Sequence, residues 1–173
     1  MDATVSSRQS NRFPLRLGFV PLSDCAPIAV AKEMGIFEKH GLNVILSREL
    51  GWASVRDKIY YGDLDAAQSI AGIAFALGLG FSELRCEVAV PLILNLHGNA
   101  VTLSTELTPE HIGHGEGLKQ HLAYSWKKDR PFTLAATHRF SSHNILLHTW
   151  LRRHNLSVPD DAEVIFLPPA LMP

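Results

Sequence analysis

Residues 15–37 constrain the fold more than any other stretch. Leu15–Val20 is a short, mostly apolar run that ends at Pro21, and a polar turn and a helix signal follow at once. A buried strand feeding directly into a helix is the building unit of a parallel α/β sheet. Asp24 suits the N-cap of that helix, and Pro27 falls in its first turn, where a missing N–H costs nothing. Ile28 and Ala31 mark its apolar side; Ala29, Lys32 and Glu33 mark its polar side. The helix N-terminus then leads away from the carboxyl end of a strand, where open α/β sheets bind small, often anionic, ligands. Most strand–turn–helix units carry no ligand, so the unit gives a fold and a location rather than a function.

The alternation continues through the 173 residues. Gly35 and Gly41 bracket a helical turn at 36–40, with Gly41 in the C′ position. The pattern predicts strands at 43–46, 64–67, 86–94, 100–103, 132–136 and 163–167, with a bend at Pro91, which cannot donate to a ladder. Predicted helices begin at Gly51 and end at Gly62, and run over 70–79, 118–127 and 144–154. Thr108-Pro109 starts another, which the glycines at 113, 115 and 117 interrupt. The uncharged 70–79 helix is expected to be buried, and it is too short to span a bilayer. We place a disordered lead-in at 1–14, a first lobe at 15–95 and a second at 96–173. The chain stops just after a strand, where an α/β unit continues into a crossover helix. The second lobe is therefore expected to be incomplete and to leave apolar surface exposed, giving poor solubility or dimerisation.

Composition narrows the function classes. Hydrophobic residues make up 46% and charged residues 19%, enough apolar mass for a core. A net charge of -1 with no long basic run argues against direct nucleic-acid binding. Cys25 and Cys86 lack Cys-x-x-Cys spacing, which argues against a zinc ribbon, and a single bridge between them is left open. The polar N-terminus has no apolar core of a signal peptide, so the chain as written is expected to be cytoplasmic, without a transmembrane segment.

Trp52, at a glycine-flanked helix start, offers a flat face and one N–H donor to a pocket, or simply packs in the core. His143, beside Ser141 and Ser142 at a helix start, either joins the backbone N–H groups on an anion or sits in a surface capping turn. His138 heads the same loop and is the weaker candidate. His111 and His114 have metal-like spacing but no third ligand. No Gly-x-Ser-x-Gly elbow or phosphate-binding loop is present, and Cys25 has no assigned base. No catalytic residue, metal site or cofactor is expected.

Gly18-Phe19-Val20-Pro21-Leu22-Ser23-Asp24-Cys25-Ala26-Pro27, followed by 31–42, resembles the start of the nitrate/bicarbonate-type substrate-binding proteins of ABC transporters. The similarity continues through Trp52–Asp57, Ser142-His143-Asn144 with Trp150-Leu151, and Leu167–Ala170. It implies a type II periplasmic-binding-protein fold, with two lobes of mostly parallel sheets that close on a ligand. It implies that Trp52 packs on an oxyanion (nitrate, nitrite or bicarbonate) and that His143 hydrogen-bonds it. Asn99, in Gly98-Asn99-Ala100, stands where the family often has a glutamine. Asp24 and Ser142 complete the candidate binding set. The partner implied is an ABC permease or, in the family's cytoplasmic nitrate sensors, a regulatory protein. Relatives that bind or make thiamine-pyrimidine precursors are the further alternative.

Overall fold

Three short strands with parallel neighbours form the first sheet: β1 (Leu15–Phe19), β2 (Val44–Arg48) and β3 (Ala66–Ala67), in the order β2-β1-β3. In this computed structural model, residues 13–81, 83–96, 98–105, 107, 117–120 and 132–172 are described. β1 runs in register with β2 from Leu15–Val44 to Phe19–Arg48, and with β3 at Leu17–Ala66 and Gly18–Ala67. β3 is short because side chains take over at its rim. The Arg16 N–H donates to Asp65 Oδ2 at 2.7 Å instead of to a backbone carbonyl. Pairing resumes where the Gln68 N–H donates to Gly18 O at 2.9 Å.

Between the strands lie a 3-10 turn (Ser23–Cys25), α1 (Ala26–Glu33), α2 (Ile36–Lys39) and α3 (Trp52–Tyr61); α4 (Ala71–Leu79) follows β3. Gly35 (φ 64) and Gly62 (φ 74) occupy the left-handed region that glycine adopts without cost. Gly41 (φ 71) is C′ of α2, as expected. β4 (Thr133–Ala136), α5 (Ser142–Arg153) and β5 (Glu163–Phe166) follow, with β4 and β5 parallel from Thr133–Glu163 to Ala136–Phe166. The α/β class with parallel sheets is thus observed.

The chain divides into two units, Met1–Ser69 with Ala74–Leu96, and Ile70–Ile73 with His97–Pro173. Buried residues of the first include Val20, Val44, Trp52, Val55, Leu64 and Leu77. In the second, Leu118, Leu134, Leu147, Leu151, Leu156 and Ala162 form one apolar cluster, with Phe132, Trp150 and Val164 packed against it. Gly72 also belongs to the second unit, and a Cβ there would overlap the Phe140 carbonyl oxygen.

Several expectations are corrected. Residues 86–94 and 100–103 are not strands: neither has a ladder partner among the described residues. An apolar run predicts burial, but a strand needs a neighbour to bond with, and Val90, Leu92 and Ile93 are exposed. The uncharged α4 buries Ile73, Ala76 and Leu77 yet exposes Phe75 (66%) and Leu79 (61%). α5 starts two residues early, at Ser142, because the Ser141 hydroxyl caps it. Cys25 and Cys86 are free thiols. The expected helix start at Thr108-Pro109 and the His111–His114 pair lie outside the described residues, as does the lead-in up to residue 12.

Candidate functional site

In a parallel sheet the carboxyl ends of all strands share one edge, and the segments leaving that edge carry the binding groups. In the first unit these segments are 20–25 after β1, 49–52 after β2 and 68–69 after β3. Asp24 lies in the first of them. It does not cap α1: Cys25 holds the N-cap position without a side-chain hydrogen bond, because a 3-10 turn intervenes. The Asp24 Oδ1 is instead buried with no hydrogen-bond partner. The Asp24 carbonyl accepts from Asn95 Nδ2 at 2.7 Å, which ties the turn to the 90–96 segment.

Trp52 begins α3 and is 3% exposed, so most of its ring serves the core. The N-cap Gly51 is extended and makes no side-chain cap, while the Ser54 hydroxyl folds back onto the Gly51 carbonyl at 2.8 Å. Glu49, just before this turn, is a buried carboxylate that pattern reading missed. It accepts from Ser47 Oγ at 2.8 Å and Lys58 Nζ at 2.9 Å. Burial pushes its carboxyl up, but the hydrogen bonds from Lys58 and Ser47 and the Lys58 charge outweigh this and leave it below the usual range. The pair braces the β2–α3 turn that presents Trp52. Gln68, also missed, is 4% exposed, and its Oε1 accepts the Val20 N–H at 3.2 Å. Only the pairing of β1 with β3 brings these two residues together.

The second unit builds its turn after β4. His143, in the first turn of α5, has Nδ1 3.2 Å from Thr137 Oγ1, which leaves Nε2 for a ligand. If the threonine hydroxyl donates, Nε2 carries the proton and is a hydrogen-bond donor. Ser141 is fully buried; its Oγ donates to His138 O at 2.7 Å and accepts from the Asn144 N–H at 3.1 Å. His138 is buried and its Nδ1 accepts the Phe140 N–H at 3.2 Å, which makes it a brace of the turn. Ser142 is exposed, one residue inside the helix. Asn99 is exposed in irregular chain after Gly98 (φ 99), and no hydrogen bond ties it to the 137–144 turn. Ser141 rather than Ser142 is the residue that organises this turn. The Ser-x-x-Asn spacing from Ser141 to Asn144 is the signal that could have marked it.

No group of three or more His, Cys, Asp or Glu side chains poised for a metal occurs among the described residues. No helix among them is long and apolar enough to cross a membrane.

The NMT1-like family model matches residues 8–173. The chain belongs to the NMT1-like family. Within that family it fits the nitrate/bicarbonate-type substrate-binding group. It is 42% identical over 160 residues to the bicarbonate transport ATP-binding protein CmpC of Synechocystis, and 38% identical over 160 residues to the nitrate import ATP-binding protein NrtC of the same organism. Each match covers 91% of this chain and 24% of the relative, so the chain spans about a quarter of those proteins' length. It is also 26% identical over 166 residues to the nitrate/nitrite binding protein NrtA of Synechococcus elongatus, covering 37% of that protein. The crystal structure of the periplasmic nitrate-binding protein NrtA from Synechocystis superposes with a TM-score of 0.82 at 23% identity, covering 95% of this chain and 44% of that one. This likeness makes the fold that of the periplasmic binding proteins, as the resemblance implied. At a coarse level, the family is one of substrate-binding proteins rather than enzymes.

Proposed function

We propose that this NMT1-like chain binds a small oxyanion (nitrate, nitrite or hydrogencarbonate) and serves an ABC-type import system. The observation that carries the reading is the His143 turn. Thr137 holds Nδ1, so the imidazole presents Nε2 beside the start of a twelve-residue helix whose dipole favours an anion. Burying an anion is costly unless fixed donors replace its water, and this turn supplies them. Within the second unit, Asn99 joins His143 in the proposed binding set by the family resemblance, with Ser142 next to it; Trp52 is the candidate that the same resemblance gives in the first unit.

The test is thermal unfolding of the full chain with nitrate, nitrite, hydrogencarbonate or sulfate, repeated on His143→Ala. A ligand at 100 times its dissociation constant adds about 2.7 kcal/mol of stability. A shift with one planar oxyanion that His143→Ala abolishes is the expected result. A cooperative transition that none of the four anions moves would overturn the reading.

A second reading is favoured by the ATP-binding relatives CmpC and NrtC, each of which matches this chain over a quarter of its length. In that reading the chain senses the oxyanion and adjusts the import machinery instead of delivering cargo. Oxyanion-dependent change in the ATP hydrolysis of the import complex would support it.

A further inference from the structure

We propose that Gly72, in the first turn of α4, is a positioning residue for the oxyanion site: its missing side chain lets the turn that carries His143 settle where Nε2 reaches the ligand. The inference rests on the oxyanion reading above and adds to it a residue that acts through that turn.

α4 holds two glycines, Gly72 and Gly78, among alanines and other apolar residues. Glycine is the weaker choice inside a helix, because it loses more chain entropy on folding than alanine. The two positions differ in what a side chain would meet. At Gly78 a Cβ would lie 3.9 Å from Val88 Cγ2, an ordinary van der Waals contact. At Gly72 it would overlap the Phe140 carbonyl oxygen and lie 2.7 Å from the carbonyl carbon. Gly72 and Phe140 both belong to the second unit. The obstacle at Gly72 is backbone, so no change of rotamer relieves it. Carbon atoms rest about 3.5–4.0 Å apart, so an alanine there drives the two segments apart by about 1 Å.

Phe140 lies inside the turn that holds His143. Its N–H donates to His138 Nδ1 at 3.2 Å. Ser141 donates to His138 O through both its N–H, at 2.9 Å, and its Oγ, at 2.7 Å. The Asn144 N–H donates to Ser141 Oγ at 3.1 Å, and Asn144 Nδ2 donates to Arg139 O at 2.9 Å. These bonds tie residues 138–144 into one piece, so a shift of the Phe140 carbonyl passes to His143. A hydrogen bond from Nε2 tolerates only about 0.5 Å, the width of the ordinary N–H···O range. The displacement that an alanine imposes is about twice that width.

The experiment compares Gly72→Ala and Gly78→Ala with the native full chain. Binding is measured by calorimetric titration with sodium nitrate, sodium nitrite and sodium hydrogencarbonate, and the histidine rings are followed by 15N NMR without ligand. Gly72→Ala is expected to weaken binding of the anion that the native chain takes by about tenfold or more, the loss of one hydrogen bond to a charged group. It is also expected to move the His143 ring signals. His154, at the other end of α5 with Nδ1 3.0 Å from Trp150 O, is the reference, and its ring signals are expected to stay in place. Gly78→Ala is expected to raise the melting temperature and to leave the affinity and both histidines unchanged. Movement of His154 together with His143 in Gly72→Ala means a general loosening and overturns the proposal. Unchanged affinity in a folded Gly72→Ala, or an affinity loss with the His143 signals unmoved, also overturns it. If Gly72→Ala does not fold, the native chain decides: on adding the anion the Gly72 Cα signal is expected to shift together with the His143 ring signals, and a Gly72 signal that stays in place overturns the proposal. All of these negative results leave the oxyanion reading standing. Binding of none of the three anions by the native chain overturns both.

Discussion

The two strand-to-helix turns handle their polar groups in opposite ways. The turn after β4 satisfies itself: Ser141 bonds to His138 and Asn144, His138 takes the Phe140 N–H, Asn144 Nδ2 reaches Arg139 O at 2.9 Å, and Thr137 meets His143. Of its side-chain atoms only Asn144 Oδ1 is buried without a partner. The turn after β1 has an uncapped helix and a buried, unpaired Asp24 oxygen. The difference teaches where rigidity comes from. A turn whose side chains cap its helix and bond to one another holds His143 at a fixed angle, whereas the turn after β1 leaves its helix without a side-chain cap.

The largest effect that sharpens this comparison is Trp52→Ala. Removing a 3%-exposed indole from the first unit should cost about 3–5 kcal/mol by denaturant unfolding. A loss below about 1 kcal/mol would mean that the ring faces a pocket and contributes little to the core. Next comes Ser141→Ala, which strands the Asn144 N–H and deletes a buried bond to His138. It should cost about 1–2 kcal/mol and weaken oxyanion binding by loosening His143. The exposed Ser142→Ala is the control, with a stability change within about 0.5 kcal/mol. An equal loss in both variants would break the claim that Ser141 organises the turn.

The smallest effect concerns Glu49. Its folded carboxyl lies below the ordinary glutamate value, so its contribution is present above about pH 4.3, the unfolded value, and is lost as pH falls through the lower folded one. Comparing the pH dependence of unfolding for the native chain and Glu49→Gln should show the native chain losing more stability on acidification. The difference should be under about 1 kcal/mol, because Lys58 is 41% exposed and solvent screens the pair. No difference in slope would remove Glu49 as a brace of the β2–α3 turn.

Much of the fold was legible because it is local. The apolar run at 15–20, Pro27, and the glycines at 41 and 62 each mark a boundary through the conformations they allow, and the observed elements follow them to within a few residues. The apolar run at 86–94 misled for the opposite reason: its side chains are those of a strand, but pairing depends on a neighbour that no local pattern contains. The site was legible only in outline. His143, Trp52 and Asp24 stood at helix starts that the pattern could locate. The polar pairs around them are less local: Thr137 lies six residues from His143, Lys58 nine from Glu49, and Val20 forty-eight from Gln68.

The sequence by itself determined the α/β class, the family and the turns that carry the candidate site, since these depend on short-range propensity and on motifs of adjacent residues. Only the tertiary structure decided which polar groups are paired. It placed Glu49 against Lys58, gave Ser141 the cap of α5, and left the Asp24 oxygen without a donor. Hydrogen bonds require atoms within about 3 Å in a given orientation, and between distant segments that condition is met only once the strands are in register.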